Sequence, residues 1–218
     1  MILQPILVSL KVTFVAVLLI VLVSIFLVRW LSERSFRGQK LLETLIMLPL
    51  VLPPTIVGYG LLLLLGRNGL LGKTWTSIFD TSFIFTWGAA VVAAFIVGLP
   101  LMYQSLKGSI LAIDVRYIQA AQTLGLEENK IFWTIKLPLA KHGLISGIAL
   151  SFARALGEFG ATLMVAGNIP GKTQTVPIAL YFAVEAGRVT EANALLAFML
   201  LSSLGLIFLI TSQRRVMS

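Results

Sequence analysis

"ALSFARALGEFGATLMVAG", residues 149–167, is apolar enough to lie in lipid, yet it carries Arg154 and Glu158 near its middle. An isolated charge at the centre of a bilayer costs about 3 kcal/mol or more. Four residues apart on a helix, the two side chains share a face and neutralise one another, so that face belongs in a protein interior. Ala149, Ala153, Ala155, Gly157, Gly160 and Ala161 surround the pair, and small residues let helices or two subunits approach closely. Two roles fit the pattern: a fixed pair that sets helix register at a subunit interface, and a pair that exchanges partners as a pathway opens and closes. Either role makes the segment part of a membrane helix bundle.

The rest of the chain agrees. Of the 218 residues 58% are hydrophobic and 12% charged, with a mean hydropathy of +0.97, where soluble domains carry about 25% charged residues. Crossing a bilayer core takes roughly 20 helical residues, and five stretches qualify: 8–28, 45–65, 83–103, 144–166 and 193–212. The first is longer than the apolar part of a secretory signal and no small-residue cleavage site follows it, so it is expected to remain as a helix. No long polar tract suggests a second unit, and a single all-α membrane domain over 6–213 is expected. There is no cysteine, which removes disulfides and thiolate metal sites.

The net charge of +8 is explained by topology. Arg29, Arg34, Arg37 and Lys40 lie between the first two spans, Lys107, Arg116, Lys130, Lys136 and Lys141 between the third and fourth, and Arg214 and Arg215 at the C-terminus. On the opposite side stand only Arg67, Lys73, Lys172 and Arg188. Cytoplasmic loops hold the excess of Lys and Arg, so the first group is cytoplasmic and the N-terminus lies outside. The charge then requires no nucleic-acid partner.

Three local patterns stand out. In "MLPLVLPPTIVGYG", residues 47–60, Pro49, Pro53 and Pro54 each remove a backbone donor, tolerable in a membrane only where neighbours or a cavity satisfy the freed carbonyls. A kinked second helix is expected, as a packing kink or as a break lining a pathway. Pro49, Pro53, Pro54, Ser151, Arg154 and Glu158 are the candidates for pathway or dimer interface. In "NIPGKTQTVPIALYFAVEAGRVTE", residues 168–191, Pro170-Gly171 marks a turn, and the apolar run 176–184 is too short to span. It is expected to dip into the membrane or cover the bundle. Lys172, Thr173, Gln174 and Thr175 offer donors to an oxyanion or a binding protein, or form an ordered surface loop.

The third pattern is the polar connection 104–143, which contains "DVRYIQAAQTLGLEENKIFWTIKLP", residues 114–138. Asp114 suits a helix N-cap and Gly125 a left-handed helix end. A second short helix is expected from Glu127 and Glu128, whose charges favour a helix N-terminus, stopping before Pro138. Ala120 and Ala121 allow another protein close to the backbone, while Ile118, Leu124 and Leu126 offer apolar contact. The segment reads as a docking projection or as an amphipathic loop on the membrane surface.

No Gly-x4-Gly-Lys-Ser/Thr phosphate loop occurs, and "GNIPGKT", residues 167–173, lacks its spacing. The only histidine, His142, stands beside Lys141 and Gly143 at a helix start, and neither a metal nor a catalytic cluster is evident. An ion-coupled carrier needs acidic groups deep in the membrane, where only Glu158 qualifies, with Glu43 near the cytoplasmic edge.

Gln119-Ala120-Ala121, Gly125 and Ile135-Lys136-Leu137-Pro138 fall at the spacing of the Glu-Ala-Ala…Gly…Ile-x-Leu-Pro pattern of permease subunits of ABC importers. Gln119 replaces the glutamate and with it any salt bridge that carboxylate makes. "LPLVLPPTIVGYGLLLLLGRNGLLG", residues 48–72, and "SFARALGEFGATLMVAGNIPGKTQTVPIALY", residues 151–181, resemble the molybdate permease subunits of that superfamily, and the resemblance runs from about Ser9 to the last helix. It implies a type I importer transmembrane fold in the cytoplasmic membrane of a prokaryote, working as a homodimer surrounded by lipid. It further implies two cytoplasmic ATPase subunits docked on 104–143, which hold the ATP and magnesium that this chain does not bind. An extracytoplasmic oxyanion-binding protein would deliver molybdate or tungstate for alternating-access import. Sulfate or thiosulfate permeases of the same superfamily are the alternative, and an ion-coupled carrier a more remote one.

The cation count fixes a topology that can be checked directly. A reporter fused after Arg215 is expected to be cytoplasmic and a tag before Gln4 extracytoplasmic; labelling of both from one side of the membrane would rule out a five-span chain.

Overall fold

The computed structural model describes residues 2–33 and 36–215, and the side chains of all these except 32–33 and 209–215. Arg34 therefore lies outside the described residues, as do the side chains of Arg214 and Arg215. Every regular element among the described residues is helical. In chain order these are α1 (Leu3–Glu33), α2 (Gln39–Val51), α3 (Pro54–Leu65), α4 (Leu70–Phe79), α5 (Trp87–Leu111), α6 (Val115–Thr123) and α7 (Glu128–Ile131). A π-helical turn (Phe132–Lys136) follows, then α8 (Leu137–Leu139), α9 (Lys141–Leu156), α10 (Gly160–Ala166), α11 (Val176–Glu185) and α12 (Val189–Arg215).

Leu3–Leu31, Trp87–Leu111 and Val189–Phe208 are each long and apolar enough to cross a membrane, and two bent pairs, α3 with α4 and α9 with α10, bring the possible spans to five. The third span begins later than the expected Phe83 because Thr86 caps α5, its Oγ1 accepting from the Ala89 N–H at 3.3 Å. It then runs past Tyr103 to Leu111.

The expected second span, 45–65, is not one kinked helix. Pro49 is carried inside α2, but Leu52 is extended (φ −75, ψ 141) and Pro53 follows it out of the helix (φ −53, ψ 137). Both precede a proline, whose ring disfavours the α conformation in the residue before it. Pro54, with no N–H to leave unpaired, opens α3. The connection 66–86, for which no element was foreseen, contains α4, bent 49° from α3.

Small side chains let the helices come close. Ala16, Ala89, Ala90, Ala93, Ala94, Ala161 and Ala166 are all buried where α1, α3, α5 and α10 meet. Ser151 Oγ on α9 donates to the Gly98 carbonyl on α5 at 3.1 Å, and Ser105 Oγ on α5 to the Gly143 carbonyl on α9 at 2.8 Å. At the cytoplasmic end Phe132, Met102, Leu106, Val28 and Leu31 form a second apolar core. The short α11 packs on α1 and α12 through Val176, Ala179 and Leu195, and its Val176 N–H donates to Ser9 Oγ at 2.7 Å.

A close backbone approach also joins α3 to α10. A Cβ at Gly58 would stand 2.8 Å from Ala161 Cα and 2.9 Å from Met164 Cβ, and one at Gly160 would stand 3.1 Å from Pro54 Cβ. Gly58→Ala is expected to lower stability in detergent by about 1–3 kcal/mol, the range for overfilling a packed contact. Gly60→Ala, where nothing lies within 4 Å, should be neutral or slightly stabilising. Equal thermal midpoints for both variants would show that α3 and α10 do not meet this closely.

Candidate functional site

Arg154 and Glu158 do form an ion pair, with Arg154 Nη1 2.6 Å from Glu158 Oε2, but they do not share an unbroken helix. The helix ends at Leu156, and the chain turns by 59° before α10 begins at Gly160. Glu158 sits in the break. Its Oε1 accepts from the Ala161 N–H at 2.8 Å, satisfying one of the orphan donors of the first turn of α10, where a negative charge is also favoured by the helix dipole. One carboxylate thus ties the last turn of α9, through Arg154, to the first turn of α10. Its side chain is 1% exposed and that of Arg154 29%, so the cation, not the anion, faces outward.

The break in the second span lies against this one. Pro54 and Thr55 border Gly160, and Gly58 borders Ala161, so two interrupted helices meet at their interruptions. Pro53 and Pro54 are exposed on the described chain and Pro49 is half-buried. Ser151, assigned to the same group from sequence, is fully buried and committed to Gly98; it fastens α9 to α5 and lines no open surface. Glu43, on α2, is neutralised at the cytoplasmic end by Lys107 Nζ at 2.6 Å and also accepts from Tyr103 OH at 3.2 Å.

The outer donors are placed differently from the sequence expectation. Thr173 is buried and its Oγ1 accepts from the Ile169 N–H at 3.1 Å, while Gln174 Nε2 donates to Asn168 Oδ1 at 2.8 Å. These bonds close the loop on itself because its backbone, turning at Pro170-Gly171, leaves inward-facing polar groups that need local partners. Thr175 is 5% exposed and points inward. Of the four, only Lys172 remains available at the surface.

The cytoplasmic projection follows its sequence signals with two departures. Asp114 caps α6, its carboxylate accepting from the Arg116 N–H at 2.9 Å, and the hydrogen bonds from the Arg116 side chain and backbone hold the Asp114 carboxyl below its ordinary range. Gly125 is left-handed at φ 77. Leu126 N–H donates to the Ala121 carbonyl and Gly125 N–H to the Gln122 carbonyl, the paired bonds of a Schellman end. Glu128 accepts from Gln122 Nε2 at 2.7 Å and pairs with Lys136 Nζ at 3.2 Å, which together hold its carboxyl below the usual range and brace α6 against the following turn.

The first departure concerns Pro138. The helix does not stop before it: a π-helical turn pairs the Leu137 N–H with the Phe132 carbonyl, and Pro138 lies within the first turn of α8. Ile135 and Leu137 are half-buried along this stretch. The second concerns Ala121, which is only 3% exposed, while Gln119, Ala120 and Leu124 face outward. A bulky residue at Ala121 therefore damages the projection itself, not only a partner's access to it.

Two positions were not singled out from sequence. Phe132 is fully buried in the cytoplasmic core and anchors the projection to α1 and α5; an aromatic residue inside a polar loop was its signal. Lys11 is the one charge in the first 28 residues. A lone ionisable residue within a span was reason enough to mark it.

Arg154→Ala leaves a buried carboxylate without its cation. The expected loss is a few kcal/mol, below the ~3–5 kcal/mol of a fully buried pair because Arg154 is partly exposed. Adding Glu158→Gln should recover part of it, since the amide keeps an acceptor for Ala161 N–H. Identical thermal midpoints for the single and double variants would show that the pair contributes nothing to the fold.

The structure can be set beside known proteins. A bacterial ABC transporter involved in the import of the acidic polysaccharide alginate superposes with a TM-score of 0.77 at 14% identity, covering 99% of this chain and 79% of that one. An inward-facing form of the MetNI methionine ABC transporter gives 0.73 at 14% identity, covering 100% of this chain and 96% of that one. These likenesses establish the fold, that of ABC importer transmembrane subunits. In sequence, the molybdenum transport system permease protein ModB of Escherichia coli (strain K12) is 44% identical over 182 residues, 84% of this chain and 80% of its own length. ModB of Haemophilus influenzae is 43% identical over 171 residues, 78% of this chain and 75% of its own. With residues 1–217 matching the family described as binding-protein-dependent transport system inner membrane component, the chain belongs to that family.

Proposed function

We propose that this chain is the permease subunit of an ATP-driven importer that moves molybdate, or the similar tetrahedral anion tungstate, across the cytoplasmic membrane by alternating access. The observation that carries the substrate is the 44% identity, over 84% of the chain, to a protein named as a molybdenum transport system permease. The subunit works as a homodimer with two cytoplasmic ATPase subunits, which bind the ATP and magnesium, and takes its anion from an extracytoplasmic binding protein.

The surface for the ATPase is α6 with the Gly125 turn. Tyr117 and Leu124, two helical turns apart and so on one side of the projection, are 59 and 80% exposed there, apolar side chains on a polar projection of the kind that marks a protein contact. Movement of α6 is delivered through Glu128 to the π-helical turn and α8, which lead into α9. From α9 it reaches the Arg154–Glu158 break, α10 and, across Gly160, the Pro53–Pro54 break. Those two breaks form the gate in this reading, since interrupted helices supply the irregular backbone that membrane proteins place at cavities.

Reconstitution into vesicles with the ATPase and binding protein is expected to give ATP-dependent accumulation of molybdate and tungstate over sulfate; uptake of sulfate alone would transfer the chain to the sulfate permeases. Two variants test the docking surface. Gly125→Val forces a β-branched residue into the left-handed region at a cost of about 1–3 kcal/mol, and Ala120→Trp overfills the exposed contact. Both should reduce copurification of the ATPase several-fold with the permease still inserted. Undiminished copurification and uptake in both would remove the projection from the docking site.

A further inference from the structure

At the N-terminal end of α1 a hollow of about 550 Å³ opens among Leu7, Val8, Lys11, Phe85, Trp87 and Lys172. Three separate parts of the chain build it: α1, the entry to α5, and the loop before α11. The walls are apolar, and both charged residues that line it are cations. Neither Lys11 nor Lys172 has a carboxylate partner among the described residues, whereas Lys107, Arg116, Lys136, Arg154 and Arg188 all do. The Lys11 Nζ instead lies 4.1 Å from the centroid of the Trp87 ring. Lys11 sits about 12 Å from the start of α1 at 1.5 Å per residue, a depth from which a lysine reaches the interface by extending its stem along apolar surface. Trp87, exposed at the end of its span, marks that same interface, where tryptophan concentrates. Along α1 the neighbouring Leu3, Leu7, Leu10 and Phe14 are all exposed, so the hollow continues into the lipid-facing side of the helix.

A ligand fitting this hollow needs one anionic group for two unpaired ammonium groups and an apolar body for the trough beside them. We propose that it is the binding site of an anionic phospholipid, its phosphate held between Lys11 and Lys172 and its glycerol and first acyl carbons lying against Leu7, Phe85 and Trp87. A soluble oxyanion satisfies the lysines and leaves the apolar wall wet. An acidic loop of the binding protein must enter below the level of Trp87 to reach Lys11. The site is independent of the transported substrate: it ties the outer loop to the membrane, so that Lys172 serves the lipid and not the cargo.

The test uses the full chain reconstituted in phosphatidylcholine vesicles containing increasing fractions of dibrominated phosphatidylglycerol or, separately, dibrominated phosphatidylcholine. Bromine quenches nearby tryptophan, and subtracting the response of Trp87→Phe isolates the hollow. Trp87 is expected to be quenched at a many-fold lower fraction of the anionic lipid. Lys11→Gln and Lys172→Gln should each reduce that preference about fivefold, the contribution of one lysine near an anionic surface, while Lys141→Gln at the opposite end keeps it. Equal quenching by the two lipids, or a preference that survives in the double lysine variant, overturns the assignment. Displacement of the lipid by millimolar inorganic phosphate would overturn it in favour of a soluble anion. Retained lipid preference with loss of binding-protein association in the double variant would do so in favour of a protein contact.

Discussion

A single carboxylate, Glu158, decides how the central part of the chain is built. Its side chain only 1% exposed, it has two polar partners: the guanidinium at the end of α9 and an amide in the first turn of α10. Both are local, one four residues before it and one three residues after, so the bend between the helices is held by its own sequence neighbours. Without that carboxylate, the orphan amides of α10 would face an apolar interior, where each unsatisfied group is costly. The bend then sets the direction of α10, which brings Gly160 against Pro54 and Ala161 against Gly58.

That contact explains why glycine and alanine line the crossing. An aqueous core gains from burying large side chains, but lipid tails are as apolar as leucine, so helices in a membrane associate by close fit and polar contacts. The buried alanines on α5 and the serine hydroxyls bonded to opposing carbonyls are the two forms of that attraction here. The result is a bundle whose interruptions are coupled: the break at Leu52–Pro53, caused by proline geometry, and the break at Gly157–Phe159, held by charge, touch each other. In the proposed transport cycle the gate is this shared point.

The cytoplasmic projection obeys different rules because water surrounds it. Its helices are too short to persist alone and are held by caps: Asp114 at the start of α6, the left-handed Gly125 at its end, and Glu128 bridging Gln122 to Lys136. Phe132 and Ala140 enter the apolar core at the base of the bundle, and Leu137 packs against it. The projection is therefore internally braced and anchored at one place, which suits an element that transmits force to α9 without rearranging itself.

Much of this was legible in the sequence, because the signals were local. Hydropathy over windows of a helix length revealed membrane spans, Asp114 and Gly125 marked the ends of α6 through their own backbone chemistry, and the spacing around Gln119-Ala120-Ala121 pointed to the family. The i, i+4 spacing gave the Arg154–Glu158 pair. It could not give the bend between them, because spacing is the same whether the helix continues or stops, and only the demand of the Ala161 amide for an acceptor separates the two. Thr173 and Gln174 looked like free donors, and Ser151 like a pathway or interface residue, for the same reason: a polar side chain read in sequence has no partner until the fold brings one, and the fold brought Ile169, Asn168 and Gly98. Ala121 looked like open surface and is buried, and Lys11 and Lys172, 161 positions apart, came to share one hollow. Composition and spacing determine which elements form, since those depend on residues within a few turns of one another; which side chains remain free for a ligand depends on long-range packing, and that only the tertiary structure decides.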